Sequence, residues 1–317
     1  MAGVSSQVQL PATVPTQAHR QETGDLARVA RELFEAEAQW AERRERVWGR
    51  STGFPSWDEI TGGLHPGEVT VLGARQSSGK TALALQVTLA VAQELDRSQE
   101  SAQVVYVTPE MTDKALVARM ASIQSRVGYR AIRRGEADHS ERQAWRRALV
   151  DLAALEPYLT LRAVSYDIGD LVVDVETLHR ERPVALLVVD YLQVIGSYGR
   201  SPYEQATETS RRLRALANRL EIPILVLSQL TRPQDKLNEP PPSLYELRDS
   251  GNVEQDADNV LLLYRKLSLG EGAISRSSLA QVTVAKQRNG PHGFFTLHFH
   301  GATTRFEDLG EVVIYGE

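Results

Sequence analysis

The stretch Val69-Thr70-Val71-Leu72-Gly73-Ala74-Arg75-Gln76-Ser77-Ser78-Gly79-Lys80-Thr81-Ala82 decides how this chain folds. Its first five residues form a short apolar run of strand length. The next eight are small or polar and end in Gly-Lys-Thr. The residues that follow, 82–95, carry apolar side chains at helical spacing. A strand that turns through such a loop into a helix aims successive backbone N–H groups at one point, a ready anion site at a helix N-terminus. In that setting Arg75, Gln76, Ser77 and Ser78 supply backbone donors and Gly79 lets the main chain approach phosphates. Lys80 places a point charge on the β- and γ-phosphates, the Thr81 hydroxyl can hold Mg²⁺, and Ala82 completes the first turn. The first position, where the strict pattern has glycine, is Ala74. A chance Ser-Gly-Lys-Thr in a turn is the competing reading, and the flanking strand and helix weigh against it.

Working outward, three more strand ends carry groups that a phosphate site needs. Leu186-Leu187-Val188-Val189-Asp190 is an apolar run ending in an acid, which would serve Mg²⁺. Alone the signal is weak, because buried strands often end in Asp at a turn. Glu110 follows the run Val104–Val107 and could orient or deprotonate a water. Equally, it could complement the dipole of a helix starting at Met111. Gln229 ends Ile224–Leu227, where an amide could meet a γ-phosphate or simply face solvent. Ligands of open α/β sheets bind beyond the carboxyl ends of the strands, and this is where all four groups fall.

Strands are expected at 68–72, 104–107, 159–161, 185–189 and 224–227, with helices such as 82–95, 141–155 and 204–220 between them. Strands buried on both faces and separated by helices indicate a mainly parallel sheet in an α/β fold. After Leu230 the rhythm changes to a polar loop and three strand-like runs, 259–264, 281–285 and 294–300, which read as an antiparallel extension. Ahead of this domain, 1–24 is rich in Gln, Thr, Ser, Pro and Ala and reads as a flexible tail. Over 25–48, Leu26, Val29, Ala30, Leu33, Ala36 and Trp40 recur at helical spacing. This is an amphipathic helix that could pack on its own domain or dock on another subunit.

The 317 residues suffice for one large domain of 49–317 plus this appendage. No apolar run is long enough to span a bilayer, and the N-terminus lacks a secretory apolar segment. The absence of cysteine excludes disulfides and thiolate metal sites, and suits a cytoplasmic location. The seven histidines show no metal-ligand spacing, and the net charge of −5 gives no global sign of nucleic-acid affinity.

Taken together these blocks resemble the C-terminal motor domain of the DnaB-type replicative helicases, from about Ser51 to Leu309. The matching runs include Thr52-Gly53-Phe54, Thr61-Gly62-Gly63-Leu64, the loop with Ala at its first position, Glu110-Met111, Val189-Asp190-Tyr191-Leu192-Gln193 and Leu227-Ser228-Gln229-Leu230. The most specific are Leu247-Arg248-Asp249-Ser250-Gly251, running into Val253–Asp258, and Ala285-Lys286-Gln287-Arg288-Asn289-Gly290-Pro291. The resemblance implies a RecA-like P-loop ATPase with ATP and Mg²⁺ as cofactors, Glu110 as catalytic base and Gln229 as γ-phosphate sensor. It also implies that Lys286 and Arg288 reach the ATP of a neighbouring subunit, and that Arg248, Asp249 and Gly251 grip DNA phosphates. Arg248 pairing with Asp249 or Glu246 at the surface is the plain alternative. The implied protein is a homohexamer moving 5′→3′ on single-stranded DNA, with a helicase loader as a further partner. A RadA- or KaiC-like ATPase that binds DNA or protein without unwinding is the other reading. The family's N-terminal collar domain is not matched, so primase binding is not carried over.

Overall fold

The computed structural model describes residues 26, 28, 30, 31, 33–35, 47–164, 167–190, 192, 201–231, 239–250, 252–270 and 273–315. The chain divides into two units, Met1–Arg46 and Val47–Glu317. In the first, the described residues between 26 and 35 are helical, and Leu26, Leu33 and Phe34 are exposed. The expected tail at 1–24 lies outside the described residues. Val47 and Trp48 belong to the second unit and are not helical, so the expected helix does not reach Trp48. The Trp48 ring instead stacks on His65 at 5.5 Å.

The second unit opens with α1 (Pro55–Thr61) and then alternates strands and helices. In order these are β1 (Val69–Ala74), α2 (Lys80–Ser98), β2 (Gln103–Val107), α3 (Asp113–Ser125), α4 (Tyr129–Arg134), α5 (His139–Ala154), β3 (Leu159–Arg162), α6 (Ile168–Glu181), β4 (Val184–Val189), α7 (Pro202–Leu220) and β5 (Ile224–Gln229). A 3₁₀ segment (Leu244–Ser250) and the short α8 (Val253–Asp256) lead to β6 (Asn259–Tyr264). A ribbon of β7 (Leu267–Gly270) and β8 (Ala273–Arg276) follows, then β9 (Leu279–Gln287), β10 (Gly293–His300) and β11 (Arg305–Ile314).

Nine of these strands form one sheet in the order β11-β10-β9-β6-β1-β5-β4-β2-β3. From β3 to β6 all neighbours are parallel. β9, β10 and β11 continue the sheet antiparallel. The expected fold class stands, with one correction: 259–264 (β6) belongs to the parallel part, paired with β1, and the antiparallel extension starts at β9. β11 and the ribbon carried no sequence signal. Of β11 only Phe306 is buried, and its Glu and Asp residues break any apolar period.

Burial follows the pleat. Leu72, Leu186, Val188, Leu261 and Leu263 face one apolar layer, built with Leu83, Leu85, Leu89 and Leu95 of α2. Val71, Leu187, Val189, Val260 and Leu262 face the opposite layer, with Leu171 and Val175 of α6 and Leu213 and Leu216 of α7. A strand buried on both faces cannot alternate apolar with polar, which is why β1, β4 and β6 read as continuous apolar runs. Two of the family-like blocks have a purely structural job. Asp58 accepts from Ser51 Oγ (2.6 Å), Thr52 Oγ1 (2.7 Å) and Thr52 N–H (3.0 Å), pinning the chain where it enters α1. Gly62 then ends that helix at φ 73°.

Candidate functional site

β1 delivers the chain to the loop, and α2 takes it away. Within the loop Ser77 (φ 62°) and Gly79 (φ 103°) adopt left-handed backbone, and the Ser78 N–H closes on the Arg75 carbonyl (3.2 Å). Gly79 caps a 19-residue helix whose first turn contains no acid and receives no side-chain cap. The positive end of that helix therefore faces the loop's concavity with no acid in its own first turn. A Cβ on Gly79 would come within 2.8 Å of the Phe306 ring, so Phe306 and Phe299 form a floor that excludes any side chain there. Gln76 and Ser77 are exposed at the loop tip, Ser78 and Ala82 are buried, and Lys80 and Thr81 are half-buried.

Arg75 breaks ranks with the loop. Its side chain is 3% exposed and turns into the protein, donating through Nε and Nη2 to both oxygens of Glu246 (2.8 and 2.7 Å). Nη1 donates to the Pro240 carbonyl (2.6 Å). Arg75 thus offers a phosphate its backbone, not its charge.

Asp190 follows β4 and is buried, held by its N–H on the Val107 carbonyl (2.8 Å). Burial pushes its carboxyl above the usual carboxylate range. Hydrogen bonds from Tyr106 and Thr81 and the Lys80 charge oppose that, while the Glu110 charge adds to it. Lys80, Thr81 and Glu110 thus all act on the Asp190 carboxyl. Tyr106 is the member that sequence reasoning missed. Its hydroxyl donates to Asp190 Oδ2 at 2.8 Å from the neighbouring strand, and burial drives its own pKa well upward. A lone tyrosine in the apolar run of β2 was the available signal.

Glu110 is exposed and outside any helix. α3 begins at Asp113 rather than Met111, and its N-cap Thr112 accepts from the Ala115 N–H (3.3 Å). Glu110 therefore lies two residues ahead of the N-cap rather than at the helix's first turn. Gln229 pairs in register with Ala74, the residue that opens the loop, so it stands directly beside it.

Among the described residues no group of three or more His, Cys, Asp or Glu could cage a metal ion. Yet Asp190 Oδ1 is buried with no hydrogen-bond partner, beside the Thr81 hydroxyl. One carboxylate plus one hydroxyl, with water and phosphate oxygens completing the shell, is the donor set that suits Mg²⁺, an ion that dehydrates reluctantly.

Lys286 and Arg288 lie elsewhere. Gln287 pairs with Asn259, which pairs with Thr70 at the amino end of β1. The loop leaves the carboxyl end of β1 at Ala74, about 13 Å away along the strand at about 3.3 Å per residue. Lys286 Nζ donates to the carbonyls of Glu254 (2.5 Å) and Ala257 (2.8 Å). Arg288 donates to the Gln255 carbonyl (2.7 Å) and pairs with Asp258 (3.3 Å). Asn289 is tied to Glu68 (3.0 Å). Of the residues expected to meet DNA, Gly251 and the side chains of Arg248 and Asp249 fall outside what the structure describes; the backbone of Leu244–Ser250 is 3₁₀.

The model of the DnaB-like helicase C-terminal domain matches residues 49–308. The replicative DNA helicase DnaB of Geobacillus stearothermophilus is 31% identical over 270 residues, covering 84% of this chain and 58% of that protein. Its counterpart in Leifsonia xyli is 33% identical over 272 residues, covering 83% and 57%. The chain thus spans less than two thirds of the length of these relatives. Among solved structures, an ATPase domain determined on its own superposes with a TM-score of 0.77 at 24% identity, covering 91% of this chain and all of that one. A DnaB-like replicative helicase, solved in a study of its interactions with primase, gives 0.74 at 24% identity, covering 91% and 68%.

Proposed function

The chain belongs to the family of DnaB-like helicase C-terminal domains, and from that premise we propose that it is the ATP-driven motor of a hexameric replicative DNA helicase moving 5′→3′ on single-stranded DNA. Lys80 and the backbone donors of the Arg75–Ala82 loop and helix turn hold the phosphates. Thr81 and Asp190 would hold Mg²⁺, which when bound neutralises charge on the β- and γ-phosphates. Tyr106 keeps the Asp190 carboxylate oriented through its hydroxyl. Glu110 takes a proton from the attacking water or orients it, and Gln229 contacts the γ-phosphate beside Ala74. Arg248, Asp249 and Gly251 contact the DNA backbone without reading bases.

The observation that carries a ring rather than a lone ATPase is the distance between the two cation sets. Lys286 and Arg288 sit at the amino end of β1 and Lys80 at its carboxyl end, so one copy cannot bring both to one phosphate chain. A neighbouring copy can, and a heterologous contact that closes on itself makes a ring. The helical segment ahead of Val47 is proposed to dock on an adjacent subunit, which removal of residues 1–46 and a measurement of mass in solution would test. The decisive experiment on activity is unwinding of a forked duplex, with phosphate release measured with and without single-stranded DNA. ATP-dependent unwinding with DNA-stimulated turnover is expected. Turnover without unwinding on either fork polarity would return the protein to a non-unwinding DNA- or protein-binding ATPase.

A further inference from the structure

The turned-in Arg75 joins the phosphate loop to a distant part of the chain. Its guanidinium meets Glu246 through two parallel hydrogen bonds, the fork geometry in which an arginine–carboxylate pair is strongest and most directional. Arg75 and Glu239 also approach within 3.8 Å, with side chains 3% and 5% exposed. A second strap runs alongside. Arg276, at the end of the β7–β8 ribbon, pairs with Glu239 (2.6 Å) and donates to the Gln76 carbonyl (3.1 Å). Arg75 is therefore bound directly to the segment 239–246, and its neighbour Gln76 is linked to Glu239 of that segment through Arg276. That segment overlaps the seven-residue 3₁₀ helix Leu244–Ser250, whose backbone carries Glu246 and, two residues on, Arg248.

A buried ion pair of this kind behaves as one body. Parting Arg75 from Glu246 would leave a desolvated charge unpaired, so a shift of the 3₁₀ turn must draw the loop with it or meet that penalty. We infer that Arg75 and Glu246 are positioning residues that transmit DNA occupancy of the Leu244–Ser250 segment to the phosphate loop, and nucleotide occupancy back to DNA affinity. The inference rests on the proposed motor reading, in which that segment grips DNA. Such coupling is reciprocal: the factor by which nucleotide tightens DNA binding equals the factor by which DNA tightens nucleotide binding.

The test uses the full chain, a fluorescein-labelled oligo-dT strand, and anisotropy titrations with and without Mg²⁺ and a non-hydrolysable ATP analogue. In the native protein the analogue should tighten DNA binding about fivefold or more, within the usual range for linked sites. Glu246→Gln keeps the shape of the carboxylate and removes its charge. It should bring that ratio close to one and abolish DNA stimulation of ATP turnover, leaving DNA-free turnover within about twofold of native. Arg75→Lys, which retains charge but loses the fork, should lose the ratio as well, and decides the matter if Glu246→Gln does not fold. A folded variant that keeps the native ratio overturns the inference. So does a Glu246→Gln protein whose DNA-free turnover falls as far as its DNA-stimulated turnover, since the pair would then only be bracing the loop. A native protein whose DNA affinity and turnover ignore each other's ligand removes the motor reading itself, and is told apart because it fails before any substitution is made.

Discussion

At the carboxyl ends of β1, β2, β4 and β5 the chain gathers Lys80, Thr81, Glu110, Asp190 and Gln229 around an uncapped helix start and an unpartnered buried oxygen of Asp190. At the amino ends of β1 and β6 it gathers Lys286, Arg288, Arg214, Glu68 and Asp258. There the charged groups are occupied: Asp258 pairs with Arg214 and Arg288, and takes the Val69 N–H (2.9 Å). Burial pulls the Lys286 ammonium below its ordinary pKa, with the Arg288 charge adding to the effect. At the first end the helix start has no side-chain cap and Asp190 Oδ1 receives no hydrogen bond. The other stores cations on carbonyls, contacts that a phosphate chain can outcompete. In the proposed ring each end would be half of a site, completed by a second copy of the chain.

The largest effect should come from breaking the carboxyl end. Lys80→Ala removes the side-chain charge proposed to sit on the phosphates and should drop turnover roughly 10³-fold, with the melting temperature unchanged. Near-native phosphate release by a folded Lys80→Ala protein would take the nucleotide site away from this end altogether. Next, Glu110→Gln should slow hydrolysis by about 10²–10³-fold while nucleotide affinity stays within a few-fold, because only the water-activating carboxylate is lost. Equilibrium binding and single-turnover release measure the two separately, and turnover within a few-fold of native would leave Glu110 without a role.

The two ends can then be set against each other. Arg288→Ala and Lys80→Ala proteins, each inactive alone, should regain about a quarter of native turnover when mixed equally. In a randomly mixed ring that share of interfaces joins an intact loop to an intact finger. If labelled subunits demonstrably exchange and no activity returns, the two ends do not serve one site.

The smallest effect sharpens the carboxyl end alone. Tyr106→Phe removes one hydrogen bond to a charged group, and should cost turnover about threefold to tenfold. That hydrogen bond favours the ionised carboxylate, so losing it raises the Asp190 pKa further above its ordinary value. In its proposed role Asp190 takes up Mg²⁺ only when deprotonated, so metal uptake weakens as pH drops through the pKa of the metal-free carboxyl. The acid limb of the pH–rate profile should therefore move to higher pH in Tyr106→Phe. An unmoved limb would detach Tyr106 from the metal site.

The carboxyl end was legible in the sequence because strands buried on both faces announce themselves as apolar runs, and Asp190, Glu110 and Gln229 each stand just past such a run. Tyr106 was not, since its target lies on the next strand, 84 residues away. Nor was the direction of Arg75, whose partner Glu246 is 171 residues on. Spacing within one element cannot report which distant carboxylate a guanidinium will find. Lys286 and Arg288 were singled out by family resemblance alone, and the strand register then put them at the far end of the sheet from Lys80. The parallel pairing of β6 was misjudged for a related reason: an apolar run signals burial and says nothing about strand direction.

The aromatic floor beneath Gly79 bears on how the protein is made. A ribosome releases Gly79 long before Phe306, 227 residues later (306 − 79 = 227). Until β10 and β11 have been synthesised and laid against the sheet, the motif exists as sequence but its support does not. Contacts this far apart along the chain close late in folding, after the loop-closure entropy has been overcome. A nascent chain would thus carry Gly-Lys-Thr through most of its synthesis without a finished nucleotide pocket, and a fragment ending before β10 would keep the signature while lacking the floor.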